Sequence, residues 1–162
     1  MCKKKEILKI LNNIYHNMLN NIQVLLGYYS LGKFNKIKDY LTLMVDQIQD
    51  VRKLCNINSS SLALYLLSLK QENTMLDIEI KTLEVNNDLL ILNFLEKFIP
   101  CFKHRLAKII FEKNNNEDIL KFVFFSFLKE EEIKFLEKIL HDLNISSKNF
   151  ISNDKNIVTF IF

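Results

Sequence analysis

Between Lys5 and Cys55 apolar residues recur at spacings of three and four with one interruption, a pattern that fits two long helices folded back on one another. Ile7, Leu11, Ile14, Met18, Ile22, Leu25 and Tyr29 mark the first helix, over residues 5 to 30. Ser30, Leu31, Gly32 and Lys33 make a short turn. Ile37, Leu41, Met44, Ile48, Val51 and Cys55 then follow at a strict 4,3,4,3,4 spacing, a heptad seam. A lone hairpin leaves much of such a seam facing water. A second copy covers it, so the pattern predicts a homodimer whose two hairpins form a four-helix bundle.

The chain changes character after Cys55. Asn56 to Ser61 has turn and N-cap chemistry, and Leu62 to Gln71 reads as a third helix. The expected division is a helical domain over residues 1–58 and a second domain over 59–162. In the second, Met75 to Val85 alternates as a strand, and Asp88 to Phe98 is helical, ending just before Pro100. Arg105 to Glu112 is extended, three asparagines between Lys113 and Glu117 make a turn, and Ile119 to Phe127 is a further strand. A charged helix over Lys129 to Leu143 precedes short strands near Asn149 to Ile151 and Ile157 to Phe162. The order is βαββαββ with the helices segregated to one face, an α+β fold built as a helical hairpin followed by an α/β sandwich.

Balanced charge narrows the partners. With 22 basic and 19 acidic side chains the formal net charge is +3, which does not make nucleic acid the default partner. Cys2, Cys55 and Cys101 are odd in number and far apart, without metal-ligand or disulfide-framework spacing, so a reducing cytoplasm is expected. The basic start, Lys3 to Lys5 and Lys9, runs into an apolar stretch that polar residues interrupt, unlike a secretory leader. No apolar stretch approaches the roughly 20 residues of a membrane span.

Glycine usage excludes more. The chain has two glycines, Gly27 and Gly32, and none from residue 33 onward. Loops that cradle nucleotide phosphates need glycine, because the backbone must turn with positive φ and bring its N–H groups close to the oxygens. No Walker loop, dinucleotide fingerprint or glycine-rich lid can be built from this sequence, and it contains no GxSxG or HExxH motif.

Three histidines remain. His104 sits at a helix-to-strand junction and His141 on the charged face of a late helix, both expected at the surface. Steps of three and four from His16 reach Lys5, Lys9, Asn12, Asn20, Gln23 and Gly27, so its imidazole lies on a polar stripe away from Met18, Ile22 and Leu25. On periodicity alone, that is an ordinary polar residue on a polar face.

The run His16, Asn20, Ile22, Gln23, Leu25, Leu26 and Gly27, followed by a turn over Tyr28 to Phe34, resembles the sporulation initiation phosphotransferase B family of spore-forming bacteria. That family has a histidine, an acidic residue, two variable positions, asparagine, another variable position, an aliphatic residue and glutamine, then an apolar run into glycine. Two positions depart from it: Tyr15 stands where the family has a basic residue and Asn17 where it has an acidic one. The resemblance implies that His16 takes a phosphoryl group from one response-regulator aspartate and gives it to another, with Asn17, Asn20, Gln23 and Lys9 as supporting or partner-contacting residues. It also implies a C-terminal half like a histidine-kinase ATPase domain without its nucleotide machinery, no cofactor of its own, and Mg²⁺ supplied by the regulator. An acid in the Asn17 position helps related kinases deprotonate the imidazole during attack on ATP, so Asn17 argues against self-phosphorylation. The rival expectation is a non-catalytic dimeric regulator that binds and inhibits a sensor kinase or a response regulator.

Overall fold

The computed structural model describes residues 2–73, 75–115, 117–126, 128–143 and 157–162. It comprises two compact units, Met1–Lys53 and Leu54–Phe162.

The first unit is a helical hairpin of α1 (Cys2–Ser30) and α2 (Phe34–Cys55), the last two residues of α2 belonging to the second unit. The turn depends on Gly32, whose φ of +66° is open to glycine and strained for other residues. Gly32 N–H donates to the Tyr29 carbonyl at 3.0 Å and Lys33 N–H to the Tyr28 carbonyl at 2.9 Å, the paired bonds of a Schellman cap. Below the turn, Tyr40 Oη donates to Asn21 Oδ1 at 2.8 Å and meets the Tyr28 ring edge-on. Ile14, Asn21, Leu25 and Tyr28 of α1 are half-buried, as are Ile37, Tyr40, Met44 and Val51 of α2. The heptad seam read from the sequence is thus divided. Ile37, Met44 and Val51 are half-buried, whereas Leu41, Ile48 and Cys55 are exposed. Tyr40, outside that seam, makes the contact with α1 instead.

The second unit contains α3 (Ser60–Glu72), β1 (Asp77–Ile80), α4 (Asp88–Phe102), β2 (Leu106–Asn114), β3 (Glu117–Phe124), α5 (Glu130–Asp142) and β4 (Ile157–Ile161). The sheet order is β1-β2-β3-β4, with β1 and β2 parallel across the α4 crossover and the other pairs antiparallel. Asn115, with φ +47°, turns β2 into β3, a left-handed position that asparagine tolerates. Strand pleating sends alternate residues to opposite faces. One row runs Ile78, Ile109, Phe122 and Val158, the next Ile80, Phe111, Leu120 and Phe160, and all eight are buried. They share one core with Leu62 and Leu66 of α3, Phe94, Phe98 and Phe102 of α4, and Leu136 and Leu140 of α5. The helices therefore lie on one face of a mixed sheet, and the fold is α+β.

Phe98 is the centre of that core. Its ring centroid lies 4.2 Å from Phe122, 4.8 Å from Phe102 and 5.2 Å from Phe94. The same contacts explain a departure from the sequence expectation, because α4 runs through Pro100 to Phe102 instead of ending before it. Proline removes one helical hydrogen bond, but Pro100 and Glu96 are on the exposed side, where water can satisfy the freed carbonyl. Burying Ile99 and Phe102 favours the extra turn.

Two strands are shorter than expected. The strand expected over Met75 to Val85 is confined to Asp77–Ile80, since Thr82 and Glu84 bond to each other and Val85 exchanges two bonds with the Asn58 side chain. The strand after the asparagine turn ends at Phe124. The strand expected near Asn149 to Ile151 lies outside the described residues. Asp118 on β3 caps a helix distant in sequence: its buried Oδ2 accepts the Asn86 and Asn87 N–H groups at the start of α4, both at 2.8 Å.

The sheet's other face is charged along β1 to β3. Lys108 Nζ lies 2.7 Å from Glu79 and 3.0 Å from Asp77, and Glu112 pairs with Lys121 and with Lys81. The hydrogen bond from Lys108 holds the Glu79 carboxyl below its usual range, and that from Lys121 does the same for Glu112.

Phe98→Ala should destabilise the protein by about 3–5 kcal/mol, the usual cost of deleting a buried phenyl ring, read as a shift of the urea midpoint. A shift typical of a surface substitution would contradict the central place of this ring. The ion pairs predict an acid-side dependence. Glu79 and Glu112 have folded pKa values below their unfolded ones, so their contribution is complete above the unfolded carboxylate range and is lost as pH falls through the folded values. Unfolding followed from neutral pH downward should show that loss, and a Lys108→Met, Lys121→Met double variant should show a shallower acid branch. Equal slopes in the two proteins would refute it.

Candidate phosphoryl-transfer site on the first helix

An α-helix advances about 100° per residue, so the side of α1 that meets α2 fixes where every other side chain points. Asn21 and Tyr28 touch Tyr40 of α2. His16 lies about 140° around the helix from Asn21, on the side away from α2. The polar stripe expected from the sequence is there: Lys5, Lys9, Asn12, His16, Asn20, Gln23 and Gly27 are all exposed. Nothing lies within 4 Å of where a Cβ on Gly27 would be, so that end of the stripe is open.

Of the sequence candidates, Asn20 alone is brought into contact with His16. Its Nδ2 lies 3.2 Å from His16 Nδ1, across one helical turn. Asn17, next in the chain, is exposed and rotated toward the α2 side. Gln23 and Lys9 are each seven residues from His16, about 10 Å along the axis, and both are exposed. The sequence marks Asn20 as a supporting or partner-contacting residue, and its i, i+4 spacing from His16 fits the contact between them.

Apolar side chains are exposed away from the stripe. Leu11, Met18 and Ile22 of α1 are exposed, as are Leu41, Val45 and Ile48 of α2, in the only part of the described chain where large apolar side chains are exposed along two paired helices. A soluble surface rarely leaves so long an apolar stripe bare.

The remaining candidates do not assemble a site. His104 and His141 are exposed, as are the Cys55 and Cys101 thiols. Among the described residues no group of three or more His, Cys, Asp or Glu side chains is placed to hold a metal ion, and no helix is long and apolar enough to cross a membrane.

His16 is thus an exposed side chain midway along α1. Residues 1–57, which include His16 and both helices of the hairpin, match the family model for the α-helical domain of SpoOB-type sensor kinases. That match spans 57 of 162 residues and agrees with the family resemblance carried by His16 to Gly27. Among solved structures, the Acinetobacter baumannii histidine kinase AdeS is similar at 14% sequence identity, over 91% of this chain and 96% of that one, with a TM-score of 0.48. No curated protein matches the chain in sequence.

Proposed function

We propose that this protein is a phosphorelay phosphotransferase in which His16 accepts a phosphoryl group from the phosphoaspartate of one response regulator and passes it to the aspartate of another. The observation that carries the reading is His16 itself: an exposed imidazole on the polar side of α1, inside the stretch that matches a SpoOB-type helical domain. A neutral imidazole has a nucleophilic nitrogen near pH 7, and phosphohistidine exchanges readily with an acyl phosphate. Such transfer depends mainly on in-line positioning and charge neutralisation. The regulator would bring Mg²⁺ and its own cation, leaving this chain to supply a rigid nucleophile. The second unit, without a single glycine, has no means of wrapping nucleotide phosphates, so an ATP-dependent kinase reaction is not part of the proposal.

The exposed apolar flanks support the second part of the reading, a homodimer in which two hairpins close a four-helix bundle. Leu11, Met18 and Ile22 with Leu41, Val45 and Ile48 supply the apolar wall. Burial of that wall removes water from side chains whose transfer is worth about 1.5–3 kcal/mol each. Because His16 is on neither flank, closure leaves it accessible. The working site of the protein is in the cytoplasm in this reading, where response regulators and reduced cysteines coexist.

Two experiments test the two parts. When a regulator carrying radiolabelled phosphoaspartate is mixed with the protein, label that is acid-labile and base-stable should appear on the wild type and be absent from His16→Ala. Transfer to His16→Ala at the wild-type level would rule out this residue, and regulator binding without transfer to either protein would favour a non-catalytic inhibitor. For the dimer, Ile22→Lys combined with Leu41→Lys should shift the mass measured by sedimentation from two chains to one while helicity is retained; a monomeric wild type would disprove the bundle.

A further inference from the structure

The turn that joins α1 to α2 differs in composition from the rest of the chain. No acidic side chain occurs between Glu6 and Asp39, although the whole sequence carries 19, and Lys33, Lys36 and Lys38 gather at the end of that stretch. All three lysines are exposed. Leu31, in the turn itself, is 67% exposed. The rings of Tyr29 and Phe34, on either side of it, meet edge-on at 5.9 Å and are 65% and 61% exposed. Because α1 ends at Ser30 and α2 starts at Phe34, Leu31 and Lys33 lie beyond the ends of both helices. A second hairpin packed along the sides of the helices covers Ile22 and Leu41 but not the turn, so the apex stays open when the bundle closes. The cap built on Gly32 fixes its shape in advance.

We propose that this apex is a contact site for an anionic lipid surface, with Leu31, Phe34 and Tyr29 entering the headgroup region and Lys33, Lys36 and Lys38 facing the lipid phosphates. The polarity is graded in the order such a surface requires. An aliphatic side chain stands foremost, an aromatic pair with one phenolic hydroxyl lies beside it, and amines on long apolar stems surround them. Charge supplies the rest of the match, since each lysine close to an anionic leaflet strengthens binding roughly fivefold. A single-stranded nucleic acid would engage the lysines and stack on the rings, but it offers no apolar phase to Leu31. No described helix is long and apolar enough to cross a membrane, so the contact is peripheral, reversible and weakened by salt. It is separate from the phosphotransfer reading. His16 lies about 20 Å along α1 from Ser30, so a surface that holds the apex leaves the imidazole free for a soluble partner.

The test uses the full chain and vesicles of equal parts phosphatidylcholine and phosphatidylglycerol, with pure phosphatidylcholine for comparison. The sequence contains no tryptophan, so Leu31→Trp places a single fluorophore at the apex, and Leu89→Trp, at an exposed position of α4, is the control. Anionic vesicles should shift the Leu31→Trp emission to shorter wavelength and brominated lipid should quench it, while Leu89→Trp does not respond. In co-sedimentation the wild type should bind the anionic vesicles, release them in high salt and leave pure phosphatidylcholine unbound. Lys33→Gln combined with Lys36→Gln should weaken that binding about 25-fold, from the roughly fivefold effect of each lysine, and Leu31→Ser should weaken it roughly tenfold. All of these side chains are exposed and Gly32 is untouched, so the hairpin keeps its fold. A wild type that sediments with neither vesicle overturns the proposal, as does binding to which the apex tryptophan does not respond. Capture of single-stranded DNA without vesicle binding would assign the lysines to a nucleic acid and overturn it equally.

Discussion

The angular geometry of α1 is the constraint on which the functional reading depends. At about 100° per residue a helix can dedicate one side to its hairpin partner, a second to another apolar wall and a third to solvent, provided the sequence keeps the three in phase over several turns. Here it does. Asn21, Leu25 and Tyr28 face α2, Leu11, Met18 and Ile22 flank them in the open, and His16 lies with Asn12, Asn20 and Gln23 on the remaining side. A one-residue insertion before His16 would leave the helix intact yet change the phase between the histidine and the residues preceding it. The hairpin thus serves as a protractor as much as a scaffold.

The second unit is built on a different economy. Among the described residues the helices cover one face of its sheet, and in the core there phenylalanines of α4 meet those of β3 and β4. The opposite face carries alternating charges whose pairs follow the strand register: Lys108 sits beside Asp77 and reaches Glu79, while Glu112 reaches Lys121 on the neighbouring strand. Such pairs add little stability individually, but they favour this alignment of β1 to β3. Arg105 extends the pattern to the helical side, bonding Ser126 and Glu132, and Glu132 in turn accepts the Lys129 N–H at the start of α5.

Much of this was legible in the sequence because it depends on local chemistry. The hairpin turn followed from Gly32, the β2–β3 turn from its asparagines, and the alternation of the strands from their apolar period. What was misread depends on contacts between distant segments. Pro100 looks like a helix end until Phe102 is seen stacked on Phe98, and Lys81 to Val85 looks extended until Asn58 is seen bonded to both backbone groups of Val85. Tyr40 was missed in the α1–α2 contact because its partner, Asn21, is polar and so outside any apolar pattern. At the candidate site the stripe around His16 was readable from spacing, whereas the contact between Asn20 and the ring depends on rotamers that spacing does not give.

The Asn17 position ties the chemistry to the fold. A histidine attacking ATP must compete with water for a poorly electrophilic phosphorus, and a neighbouring carboxylate helps by drawing the ring proton away. In the proposed transfer the donor would be an aspartyl phosphate, an activated acyl phosphate whose oxygens the regulator neutralises, so the demand on the imidazole would fall to being neutral and reachable. Those are properties that a two-helix hairpin with a polar stripe can supply without help from another domain. Asn17 and the absence of glycine after Gly32 both accord with the proposed transfer, in which the partner would activate the phosphoryl group and this chain would orient the imidazole that receives it.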